Sequence, residues 1–168
     1  GLDWQGFFLW FGAGEPKKNL ARIVEAYLAA NLDAPLVIVG GKAWLDEDET
    51  QLLRQTLLSS GPAKDRLRFF EYLPMGMLVS LIRGARGVLF PSLYEGFGLP
   101  VLEAMSLGTP VITSNVSSLP EVAGEAALMV SPYDVAGLTR AIRDLAHDDG
   151  LAADLAARGP AQAARFSP

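Results

Sequence analysis

Phe7-Phe8-Leu9-Trp10-Phe11-Gly12-Ala13-Gly14-Glu15-Pro16-Lys17-Lys18-Asn19-Leu20, followed by Ile23, Val24, Tyr27 and Leu28 and then by Pro35-Leu36-Val37-Ile38-Val39-Gly40, reads as strand, loop, helix and strand. The two apolar runs are strand-sized. Between them Leu20, Ile23, Val24, Tyr27 and Leu28 fall on one helical face, and Asn19 stands where a capping side chain belongs. Two strands joined through a helix make a βαβ unit, whose strands run parallel.

The same alternation continues to the far end. Strands are expected over 7–12, 35–40, 66–70, 87–90, 110–113 and 126–130, and further helices over 47–58, 75–84, 99–107, 135–147 and 151–165. Asp134 is a suitable N-cap for the helix at 135, with Leu138, Ala141, Ile142 and Leu145 as its buried stripe. Pro74 sits where another helix can begin. The helix from Leu99 to Leu107 has Pro100 in its first turn and Gly108 and Pro110 just past its end. No internal repeat or linker interrupts the pattern before an alanine-rich final helix. The expectation is one α/β domain over 1–168, a doubly wound, Rossmann-like parallel sheet of about six strands, with 151–168 as its C-terminal helical region.

Composition narrows the function. The chain has 168 residues, a net charge of −5 and no lysine or arginine run longer than Lys17-Lys18. A nucleic acid, which needs clustered cations, is not an expected partner, whereas a small anion needing one or two remains suitable. Without cysteine there is neither a disulfide framework nor a thiolate metal site, and His147 alone builds no histidine cluster, so no metal site is expected. His147 suits the end of a helix and reads as structural or solvated, while Trp4, Trp10 and Trp44 show no stacking pattern and read as core or surface packing without an assigned role. The apolar runs fall far below the roughly 18 residues of a membrane span. A chain opening on Gly1, with no signal-peptide pattern, reads as an excised piece of a longer protein, although a cloning scar gives the same start.

In a doubly wound sheet, ligands lie outside the carboxyl ends of the strands, so the loops after each strand hold the candidates. The first runs from Gly12 to Asn19 and places Lys17 and Lys18 against a helix N-terminus, which already carries about half a positive charge. A bound phosphate would resolve that conflict through backbone N–H groups, the dipole and Lys18; lysines left in solvent would resolve it equally. Gly12 and Gly14 match two-thirds of a dinucleotide fingerprint, but Lys17 occupies the third glycine's place. Gly40 and Gly41 end the second strand where a ribose-binding carboxylate belongs, so a dehydrogenase is disfavoured.

The second candidate is Phe90-Pro91-Ser92-Leu93-Tyr94-Glu95-Gly96-Phe97-Gly98-Leu99-Pro100-Val101-Leu102-Glu103-Ala104-Met105. A strand end, a glycine turn and a helix start in succession let backbone amides approach a phosphate or sugar. Glu103 is the one charge on that helix. It is therefore expected to be buried and to need a hydrogen-bonding partner, for which ribose hydroxyls are suitable.

These residues resemble the retaining GT-B glycosyltransferases of glycosyltransferase family four (group 1), particularly their bacterial mannosyltransferase-like members. The resemblance runs from Phe7 to about Phe166. It rests on Glu95 and Glu103 with seven residues between them, on Gly12-x-x-Glu15-Pro16-Lys17-Lys18-Asn19, and on Ser114-Asn115-Val116-Ser117-Ser118-Leu119-Pro120-Glu121-Val122. It implies the C-terminal, donor-binding half of a GT-B enzyme, in which Lys18 and Glu95 serve catalysis. Lys17 and Lys18 would hold the donor diphosphate, and the backbone of Gly96, Phe97, Gly98 and Leu99 would cradle sugar and phosphates. Glu103 would bind the ribose, and Tyr72 and Leu73 would frame the base. Ala13 departs from the family pattern, since many members carry arginine there as a second diphosphate ligand; Lys17 can supply part of that charge.

The implied activity is transfer of a hexose, with mannose favoured, from a nucleoside diphosphate sugar to a hydroxyl acceptor with retention. GDP-mannose is the favoured donor and UDP-glucose an alternative; no cofactor is implied. The partners implied are the donor, the N-terminal acceptor domain of the same protein, and a glycan or lipid-linked acceptor. The place implied is the cytoplasm, with peripheral attachment to the inner face of the membrane as one form. A non-catalytic nucleotide-sugar-binding module and a GT-B nucleotide-sugar epimerase remain the other readings.

Overall fold

A computed structural model describes residues 1–12, 18–40, 55 and 65–166. The expected helix over 47–58, apart from Gln55, lies outside these residues, as do Ala13, Lys17, Gly41 and Trp44. The described elements run β1 (Phe8–Phe11), α1 (Leu20–Ala30), β2 (Leu36–Val39), β3 (Leu67–Phe70), α2 (Met75–Gly84), β4 (Gly87–Phe90), α3 (Leu99–Ser106), β5 (Val111–Ser114), α4 (Leu119–Ala123), β6 (Leu128–Val130), α5 (Val135–His147) and α6 (Asp149–Ala164).

All six strands pair in parallel in the order β3-β2-β1-β4-β5-β6. Alternate side chains of the four inner strands, β2, β1, β4 and β5, enter opposite cores, as a pleated strand buried on both faces requires. Phe8, Trp10, Leu36, Ile38, Leu89 and Ile112 join Ile23, Val24 and Tyr27 of α1 and Leu138, Ile142 and Leu145 of α5. Leu9, Phe11, Val37, Val39, Val88, Phe90 and Val111 join Val101, Ala104 and Met105 of α3, Leu119 and Val122 of α4 and Ile82 of α2. The result is a sheet between two helical layers. α6 contributes Ala152 and Leu155 to the first core and Ala163 to the second.

Each expected strand is present within two residues of its expected ends, and α2 and α5 have the expected boundaries. Asp134 caps α5 by accepting from the Gly137 amide at 2.9 Å. The expected final helix starts two residues earlier than read, at Asp149, because Asp148 caps it through the Leu151 amide at 2.9 Å. The five-residue α4 was not expected, since a helix that short carries no periodicity to read. No helix among the described residues is long and apolar enough to cross a membrane.

Candidate functional site

The strand order reverses between β1 and β4, the switch point at which sheets of this kind have their ligand crevice, outside the carboxyl ends of the strands. From the β1 side comes Lys18; from the β4 side comes the run from Pro91 to Gly98. The Lys18 ammonium and the Glu95 carboxylate form an ion pair there, with side chains only 11% and 10% exposed. The same ammonium lies 5.1 Å from the centroid of the Phe90 ring, a cation–π contact. Ser92 adds a long hydrogen bond, 3.5 Å, from its hydroxyl to the carboxylate oxygen that Lys18 meets. Sequence reasoning placed both charged residues near a ligand, but not against each other. The anion that meets the lysine at this helix start is the carboxylate of Glu95.

The backbone of Glu95 is held as firmly as its side chain. Its amide donates to Ser117 Oγ at 3.2 Å, and its carbonyl accepts from the hydroxyls of Ser117 at 2.7 Å and Ser118 at 2.9 Å. Ser114, at the end of β5, donates to the Ser92 carbonyl at 2.6 Å. Three serines of the 114–118 run thus fasten the β4 loop. Sequence reading marked that run as a pattern without giving its members a role. The abundance of hydroxyls was visible, but their target was not.

Past Glu95 the chain turns through Gly96 and Gly98 into α3. Gly98 has φ 84° and is the N-cap; a Cβ there would stand 2.9 Å from Leu119 Cδ2. Both the left-handed backbone and the close side chain call for glycine. Among the described residues, the amides of Gly96, Phe97 and Gly98 have no hydrogen-bond partner. They stand beside the positive end of the α3 dipole, an arrangement suited to an anion. The Phe97 ring meets Phe166 edge to face, with centroids 5.8 Å apart and an interplanar angle of 81°.

Two expectations are corrected here. Glu103 is exposed, not buried: α3 turns Val101, Ala104 and Met105 inward, while Leu99 and Glu103, four residues apart, share its outer face. Its carboxylate is solvated and needs no protein partner. Asn19 occupies the N-cap position of α1 but makes no capping bond with its side chain, because its backbone is left-handed at φ 66° and its side chain turns elsewhere. The Asn19 amide donates to the carbonyls of Pro91 at 2.9 Å and Pro132 at 2.8 Å, and its oxygen accepts from Arg22 at 2.9 Å.

Of the other expected site residues, Tyr72 is exposed at the start of the β3–α2 connection. Leu73 lines an apolar groove of about 440 Å³ with Trp4, Phe7, Phe70 and Met77. Lys17 lies outside the described residues.

Residues 4–162 match the family Glycosyl transferases group 1. The chain belongs to that family. This group 1 domain is 41% identical over 170 residues to O-antigen chain mannosyltransferase B of Escherichia coli, covering 99% of the chain and 43% of that protein. It spans less than half the length of the curated relatives it matches most strongly. Among solved structures it resembles sucrose-phosphate synthase from Thermosynechococcus elongatus, with TM-score 0.81 and 26% identity over 98% of this chain and 42% of that one. It also resembles Anabaena Alr3699/HepE in complex with UDP-glucose, with TM-score 0.81 and 20% identity over 96% of this chain and 44% of that one. The structural neighbours are GT-B glycosyltransferases, so the group 1 domain has the α/β fold that its sequence led us to expect.

Proposed function

We propose that this chain is a single donor-binding domain, the C-terminal half of a retaining GT-B glycosyltransferase of family four. It works with an N-terminal acceptor domain of the same protein to move mannose from a nucleoside diphosphate sugar to a glycan or lipid-linked hydroxyl. The observation that carries this reading is the Lys18–Glu95 pair at the β1/β4 crevice, beside the free amides of the Gly96–Gly98 turn. A diphosphate entering there exchanges one anion for another on Lys18, and Lys17, the preceding residue in sequence, is its proposed second cation. The diphosphate accepts hydrogen bonds from the turn and lies at the α3 N-terminus. Charge grows on the phosphate as its bond to the sugar breaks, and these same groups stabilise it. Glu95, released from Lys18, faces the transferred sugar across Gly96, Phe97, Gly98 and Leu99. The acceptor attacks the face the phosphate leaves, and the leaving phosphate takes its proton, which retains the anomeric configuration.

Glu103 suits ribose hydroxyls because its carboxylate is solvent-facing on the helix that follows the turn, and Tyr72 and Leu73 suit the base. The mannosyltransferase relative supports mannose and, with it, GDP-mannose as donor; the UDP-glucose complex of a neighbour keeps UDP-glucose as the comparison ligand. The O-antigen naming of that relative supports polysaccharide biosynthesis, and the place that goes with this reading is the cytoplasm, with peripheral attachment to the inner face of the membrane as one form.

Calorimetric titration of the chain with GDP, UDP, GDP-mannose and UDP-glucose tests this. Preferential binding of the GDP ligands, weakened by Lys18→Ala and by Glu103→Ala, is expected, without sugar transfer by this chain alone. Failure of a folded chain to bind any of the four would overturn it.

A further inference from the structure

Asn19 is only 4% exposed although it is polar and sits in a loop, and its side-chain amide spends both N–H groups on other segments. Both N–H groups of the amide are used, one on the carbonyl after β4 (Pro91) and one on the carbonyl after β6 (Pro132). The amide oxygen takes the Arg22 guanidinium, which also lies over the Tyr133 ring at 5.0 Å. One side chain therefore ties the entry to α1 to loops on the far side of the crevice. The left-handed backbone of Asn19, φ 66° and ψ 30°, sets the direction from which Lys18, the preceding residue, reaches Glu95.

A cap of ordinary type would satisfy α1 alone and leave the β1 loop free to swing. Here the local helix end forgoes that bond, and the amide braces the loop across the switch point instead. Aspartate has the same shape but cannot donate, and it would set a carboxylate against two carbonyl oxygens. Glycine keeps the backbone and loses the brace.

We propose that Asn19 is a positioning residue for anion capture, holding Lys18 at the place where a diphosphate is met. The inference rests on the reading of Lys18 as the diphosphate ligand, and it concerns how that lysine is aimed.

A double-mutant cycle separates aiming from general support. GDP and UDP affinities are measured by calorimetry for the chain and for Lys18→Ala, Asn19→Gly and the double variant, with unfolding followed in parallel. Each single change is expected to weaken the better-bound nucleotide about tenfold or more, the worth of one charge-assisted contact. The double variant is expected to bind within about twofold of Lys18→Ala, because a misaimed lysine and an absent one are equivalent. Multiplying losses in the double variant would overturn the inference, as would full affinity in Asn19→Gly. Full affinity in Lys18→Ala, or no binding by the parent chain, would instead overturn the reading of Lys18, and the inference with it. If Asn19→Gly does not fold, Asn19→Ser, which keeps one donor, carries the same cycle.

Discussion

Ser117 and Glu95 are joined at both backbone polar groups of the glutamate: the Ser117 hydroxyl accepts from the Glu95 amide at 3.2 Å and donates to its carbonyl at 2.7 Å. Ser117 does this from a left-handed backbone, φ 59°. Ser117→Ala should cost about 1–2 kcal/mol in urea unfolding, since it strands the Glu95 amide in a partly buried place and leaves the Glu95 carbonyl only the Ser118 hydroxyl. Ser117→Gly should be less damaging by up to about 1 kcal/mol, because glycine accepts that backbone without a Cβ penalty. Equal stabilities for the two variants would show that the left-handed turn stores no strain.

The Lys18–Glu95 pair is nearly closed to solvent. Removing one partner leaves a charge with little water around it, so Lys18→Met and Glu95→Gln should each destabilise the chain by about 3 kcal/mol. The double variant should recover much of that loss. Urea unfolding of all four forms measures the coupling, and singles within about 0.5 kcal/mol of the parent would mean that each charge is readily solvated.

Tyr27 is wholly buried between α1 and the sheet, edge to face with Phe8, and its hydroxyl has no hydrogen-bond partner among the described residues. Tyr27→Phe should therefore be neutral or stabilising, by up to about 1–3 kcal/mol. Burial also pushes the hydroxyl's pKa well above its ordinary value of 10.0. The folded chain then holds this proton more tightly than the unfolded one. Its contribution to stability is complete below about pH 10 and shrinks as pH rises beyond that. Thermal unfolding between pH 8 and 11 should show a steeper alkaline loss for the parent than for Tyr27→Phe.

At Gly40, φ 94°, an added Cβ would lie 2.3 Å from the Gly12 carbonyl oxygen. The ends of β1 and β2 approach so closely that no side chain fits between them. Gly40→Ala should cost more than about 2 kcal/mol in chemical unfolding, combining backbone strain with a clash against an immobile atom. A smaller loss would mean that the β1 loop yields readily.

The strands were legible because each is a short apolar run bounded by loop residues, and burial on both faces requires such a run. The doubly wound sheet followed from the alternation of strands and helices, whereas the strand order, and with it the switch point between β1 and β4, did not. At the site, Lys18 and Glu95 were each recognisable as chemistry-bearing residues, yet their pairing was not, because it joins positions 77 apart in the chain through the sheet order. The burial of Glu103 was misjudged for a different reason. A helix with one charge looks buried all round, whereas α3 covers the core with Val101, Ala104 and Met105 and leaves Leu99 and Glu103 outside. Asn19 was read by the commonest habit of its residue type, while long-range hydrogen bonds claimed its side chain.

On the proposed reading, the carboxylate of Glu95 also acts as a gatekeeper by its tether. Attached to the same fold as Lys18, it competes for that ammonium at a fixed and high effective concentration, which no dissolved ion of ordinary abundance matches. Chloride or inorganic phosphate, offering little beyond its charge, gains too little to dislodge it. A ligand that also brings a second phosphate for the glycine turn, and a nucleoside with its own contacts, arrives with several attachments at once. On that reading the pairing makes the crevice discriminate by the number of anchors a visitor carries and not by charge alone.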